Sequence, residues 1–121
     1  MEKIEEYRND FGLYKIYRED SPIDLARYYE KLINSDFLIE KVEISEGVER
    51  DMQDRSGIYD FNTIVAYGPA FITSSANYES ITVAFYGFYG SNRFMIDLAP
   101  ASGEIVLLCE NSNMELDELL K

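Results

Sequence analysis

Leu25, Tyr28, Tyr29, Leu32 and Ile33 recur at i, i+3, i+4, i+7 and i+8, the spacing of one apolar stripe along a helix. Arg27, Glu30 and Lys31 fall on the other side. Ser21 as N-cap, Pro22 at the first helical position and Asp24 in the first turn mark a start, and Asn34-Ser35-Asp36 marks the end. The pattern predicts a helix over 21–34. Residues 2–18 read either way: Ile4, Tyr7 and Phe11 suit a helix, Gly12 interrupts it, and Leu13–Tyr17 suits a strand. Phe37–Ile44 reads as a strand, with Val42 and Ile44 alternating against Lys41 and Glu43.

Ser45–Gly57 is polar and acid-rich and is expected to be an exposed loop. From Phe61 onward the pattern has a period of two. Ile64–Tyr67 and Phe71–Thr73 flank a Gly68-Pro69 turn, and Ser80–Tyr89, Arg93–Leu98 and Glu104–Cys109 are apolar, aromatic and β-branched. Short connections between the last three runs join antiparallel neighbours, which predicts a meander. Along Ser80–Tyr89, Ile81, Val83 and Phe85 are expected to face inward, and Tyr86 and Phe88 outward. Asn113 reads as the N-cap of a final helix with Leu116, Leu119 and Leu120 as its apolar face. The expected fold class is α+β: one domain over 1–121, an antiparallel meander sheet with helices packed on one face.

Charge changes this picture more than length does. Across 121 residues there are 23 acids and 11 bases, a net of −12, with no histidine and one cysteine. An apolar share of 46% supports a folded core, so the acidity is not a sign of disorder. Such a chain repels phosphate backbones and anionic membranes and attracts basic surfaces, which argues against nucleic-acid and membrane partners. The first residues are acidic where a signal peptide is basic, and no long apolar run occurs, so a cytoplasmic location is expected. A lone cysteine fits a reducing compartment.

The same composition narrows the chemistry. Without histidine, the commonest general base and metal ligand is missing. Cys109 shares a strand face with Ile105 and Leu107 and has no base to activate it, so it reads as a small core hydrophobe. One cysteine cannot build a zinc site, and Asp51, Asp54 and Asp60 do not have the spacing of a calcium loop. No metal, cofactor or catalytic residue is expected. Gly87-Phe-Tyr-Gly90 lacks the lysine and helix start of a phosphate loop. Residues 83–90 carry stacking aromatics without the bases that would hold RNA.

The remaining candidate is the acidic stretch. Glu43, Glu46, Glu49, Asp51 and Asp54 crowd one strand end and loop, and Tyr59 and Asp60 follow. Together they suit a basic protein cleft, with carboxylates standing where phosphates would sit and Tyr59 as an aromatic anchor.

Residues 94–109, Phe-Met-Ile-Asp-Leu-Ala-Pro-Ala-Ser-Gly-Glu-Ile-Val-Leu-Leu-Cys, followed by a helix at Met114–Leu120, resemble the late hairpin and final helix of the SUKH superfamily. Residues 1–50 lack the Leu-Pro element and Asn-Gly pair of that family. The resemblance implies a toxin-immunity role and no catalytic residues. The expected function is an acidic immunity or antitoxin-type protein that blocks a basic toxin, a nuclease above all. The alternative is a small ligand-binding domain or enzyme using a carboxylate acid/base in a tyrosine-lined pocket.

Overall fold

Residues 2–18, compatible with helix or strand on spacing alone, form a hairpin of β1 (Glu2–Asn9) and β2 (Gly12–Arg18). The turn chemistry decides the matter. Gly12 has φ +140°, and a Cβ there would strike the Cys109 carbonyl oxygen on a neighbouring strand. Asn9 Oδ1 accepts a hydrogen bond from the Phe11 N–H at 2.8 Å, closing the turn. The computed structural model describes residues 2–45, 57–60 and 82–120. The remaining strands are β3 (Leu38–Ser45), β4 (Gly57–Asp60), β5 (Thr82–Tyr89), β6 (Asn92–Ala99) and β7 (Glu104–Cys109).

The strands make one antiparallel sheet in the order β1-β2-β7-β6-β5-β3-β4. The expected meander therefore holds for β5-β6-β7 but not for the whole sheet. β7 turns to pair with β2, and β5 pairs with β3. Both edges of the apolar meander are thus covered by strands from the first half of the chain, which removes two exposed hydrophobic edges. The close β3–β5 approach requires glycine at residue 87, where a Cβ would run into the Leu38 carbonyl oxygen. The expected strands within Phe61–Thr73 lie outside the described residues.

One face is built from three cross-strand rows. Leu13, Cys109, Phe94 and Gly87 form the first; Lys15, Leu107, Ile96, Phe85 and Val42 the second; Tyr17, Ile105, Leu98, Val83 and Ile44 the third. All are buried. The inward placement of Val83 and Phe85 and the shared face of Ile105, Leu107 and Cys109 follow the alternation expected of them. Ile81 lies outside the described residues.

α1 spans Leu25–Ile33, shorter than the 21–34 expected. Its N-cap is Asp24, not Ser21: Asp24 Oδ1 accepts from the Arg27 N–H at 3.2 Å. Pro22 lies ahead of the helix, and the Ile23 N–H donates to the Pro100 carbonyl at 2.8 Å, which holds this segment against the β6–β7 turn. Leu25, Tyr29 and Leu32 join the buried cluster, with the Tyr29 and Phe85 rings 6.4 Å apart. Ile33, assigned to the apolar stripe, is instead exposed.

α2 (Leu116–Leu119) is also shorter than expected, and its cap is Glu115 rather than Asn113. The Glu115 N–H donates to Glu118 Oε1 at 2.9 Å in a capping box. Asn113 is used elsewhere: its Oδ1 accepts from Lys15 Nζ at 2.6 Å. Leu116 and Leu119 belong to the same buried cluster, whereas Leu120 is only partly buried against it. Among the described residues, no helix is long and apolar enough to cross a membrane.

Candidate functional site

Strand alternation gives the sheet a second face with a different character. One row across it is Tyr7, Tyr14, Leu108, Met95, Tyr86 and Lys41; the next is Glu5, Ile16, Val106, Asp97, Ala84 and Glu43. The first row is mainly aromatic and apolar. The second carries three carboxylates. Neighbouring side chains in such rows stand close enough to interact directly.

Contacts within the rows fix several side chains. Tyr7 and Tyr14 stack with centroids 5.0 Å apart and planes 9° from parallel. The Tyr86 hydroxyl donates to Glu43 Oε1 at 2.9 Å, and Lys41 Nζ lies 4.9 Å from the Tyr86 ring centre. Burial, with help from the bond to Glu43, pushes the Tyr86 phenol up to about 12. At one end Arg93 stacks on Phe88 at 4.8 Å and sits 3.9 Å from Glu40.

Asp97 is the chemically unusual member. Burial raises its carboxyl to about 6, with Glu43 and Glu104 adding to the shift. Its Oδ1 is buried without a hydrogen-bond partner among the described residues. Ala84 pairs with both Asp97 and Glu43, so a methyl group separates the two acids in the row. A half-buried carboxylate beside a second carboxylate favours a cationic group and exchanges a proton near neutral pH.

The structure brings together only part of the predicted set. Glu43 is in the carboxylate row, bonded to Tyr86. Tyr59 and Asp60 lie on β4 and fall in different rows, because Tyr59 pairs with Val42 and Asp60 with Lys41. Glu46, Glu49, Asp51 and Asp54 lie outside the described residues. Asp97, Tyr86 and Glu5 were not singled out as site residues. Alternation in Phe94–Leu98 puts Asp97 opposite to Phe94, Ile96 and Leu98, but the rows themselves depend on which strands become neighbours.

A second polar cluster lies on the buried face. Lys15 is fully buried, and its ammonium donates to Asn113 Oδ1, the Met114 carbonyl and Glu115 Oε2 at 2.6, 2.8 and 2.6 Å. The Tyr17 hydroxyl donates to Glu115 Oε1 at 2.8 Å and accepts from the Leu116 N–H at 3.2 Å. Cys109 Sγ lies 3.6 Å from the Met114 carbonyl, and burial raises its thiol, which favours the protonated form. The signal was present in the sequence: Lys15 occupies the inward parity of Leu13 and Tyr17.

Concavities of 240 Å³ and 490 Å³ flank α1; among the described residues, Tyr28 is the one tyrosine lining the first, and the second has none. Among the described residues, no group of three or more acidic or cysteine side chains is placed to hold a metal ion. Neither a family model, a curated protein nor a solved structure matches the chain.

Proposed function

We propose that this chain is an immunity or antitoxin-type binding protein that blocks a basic partner, a toxin nuclease, in the cytoplasm of the producing cell. The observation carrying this reading is charge: a net of −12 with no histidine, and a row holding Glu5, Asp97 and Glu43 next to the tyrosine row. Acids mixed with tyrosines suit recognition of Lys- and Arg-rich surfaces, through ion pairing, cation–π contact and fast electrostatic encounter. The SUKH resemblance of residues 94–109 points the same way. The fold that goes with this reading is α+β, with both helices layered on the buried face and the acid and tyrosine rows of the second face as the docking surface.

Capture of partners from native lysate at low salt, followed by mass spectrometry and titration of the captured protein's activity, tests it. The expected result is one basic protein, bound one to one, whose activity the chain abolishes. Capture of no basic protein, or of one whose activity is untouched, contradicts it.

Asp97 favours a second reading, a carboxylate acid/base working beside Tyr86. A carboxyl held at about 6 is suited to proton transfer near neutral pH. Substrate turnover by the purified chain alone, lost on Asp97→Asn, would establish it.

A further inference from the structure

β1 is exposed along all eight of its residues and, among the described residues, its backbone pairs only with β2, so this edge of the described sheet ends in an open strand. Most edge strands of this length are shortened or covered. This one instead shows apolar side chains: Ile4 and Tyr7 are 42% and 41% exposed, and Phe11 in its turn 71%. A bulge between Lys3 and Glu5 resets the alternation. As a result Glu2, Glu5 and Tyr7 share the second face, while Lys3 and Glu6 share the other. Lys3 is neutralised there by Glu6 at 2.9 Å and Glu115 at 3.3 Å. Among the described residues, Glu2 and Glu5 have no ion-pair partner.

We propose that β1 is a docking edge for an extended segment of the basic partner, which adds to the sheet as an eighth strand beside β1 with Lys or Arg at alternate positions. The inference rests on the basic-partner reading above and deepens it. Main-chain hydrogen bonds along β1 supply affinity without regard to sequence, and the alternating side chains supply specificity. On the second face an added strand continues both rows: its residues fall next to Tyr7, which accepts a cation over its ring, and next to Glu5 and Glu2, which accept ion pairs. A second copy of the chain is the wrong occupant on charge. Two molecules of net −12 repel, and on the second face of the sheet β1 carries Glu2, Glu5 and Tyr7 but no base, since its Lys3 and Arg8 stand on the other face.

The probe is a short capped peptide alternating Lys and Val, compared with one of equal length and charge in which Pro replaces Val. Each is added at low salt to the full chain, and amide hydrogen exchange is followed residue by residue. Expected is slowing by about tenfold at alternate β1 amides with the Lys-Val peptide only, since Pro cannot donate to a ladder. Affinity for that peptide should fall about tenfold when Glu2→Lys and Glu5→Lys are combined. Equal binding of both peptides, with changes around Glu43 and Tyr86, would overturn the edge proposal and leave the basic-partner reading standing. Binding of neither would overturn both. Protection of β1 that rises with protein concentration alone, together with a dimer in sedimentation, would replace the basic segment by a second copy and overturn the proposal.

Discussion

The Lys15 ammonium lies 2.6 Å from a Glu115 carboxylate oxygen, joining two residues 100 positions apart. Lys15 has no exposure at all, while the Glu115 side chain is 45% exposed. With Asn113 Oδ1 and the Met114 carbonyl, the three donors of the ammonium are all used. The cluster fastens the segment entering α2 to β2. Glu115→Ala leaves a buried charge short of its counterion; because Glu115 is half in water, the expected cost is about 2–3 kcal/mol, below that of a fully buried pair. Urea unfolding measures it. A loss under about 0.5 kcal/mol would mean that Asn113 and Met114 hold Lys15 unaided.

The same pair sets an acid limit. The hydrogen bond from Lys15, with those from Tyr17 and Lys3, lowers the Glu115 carboxyl from 4.5 to about 2. The folded state therefore holds this group ionised at pH values where the unfolded chain binds a proton. Its contribution is complete above about pH 4.5 and is lost as pH falls toward 2. Stability measured across that window should fall less steeply in Glu115→Gln than in the parent; identical slopes would contradict this.

Asp97 works in the opposite sense. The unfolded chain releases this proton near 3.8, whereas the fold retains it to about 6. The penalty for ionising Asp97 is absent below pH 3.8, grows through the interval and is constant above 6. Asp97→Asn should stabilise the protein by about 1–3 kcal/mol at pH 8 and leave it unchanged at pH 3.5. Equal effects at both pH values would mean that burial does not hold the carboxyl up.

α1 contributes to the core through a residue with no exposure. Leu32→Ala should cost about 2–5 kcal/mol in thermal or urea unfolding, a buried large-to-small change. A change within error would place this side chain outside the core.

Local pattern disclosed β3, β5, β6 and β7 as strands and the inward face of β5 and β7, left β1 and β2 open between helix and strand, and did not mark β4. Val83, Phe85, Ile105, Leu107 and Cys109 alternate strongly enough to fix their inward parity. It did not disclose sheet order, because the β2–β7 and β3–β5 pairings depend on long-range packing. It also misplaced both helix caps. Capping propensity treats Asn113 as free, whereas its side chain is spent on a distant partner, Lys15, and it does not separate Ser21 from Asp24, whose side chain takes the α1 cap. The acidity of the site was legible as composition. Its focus on Glu43, Asp97 and Tyr86 was not, since those residues come from β3, β6 and β5 and meet only in the finished sheet.

The rate at which the captured basic partner associates with this chain, followed by stopped flow as salt is raised, tests the central claim most directly. Exposed carboxylates act mainly on encounter, so the rate should fall by about tenfold or more from low to high salt. Glu46→Lys combined with Asp51→Lys should slow association more than it speeds dissociation. An association rate that is independent of salt and unchanged in that double variant would contradict recognition through charge.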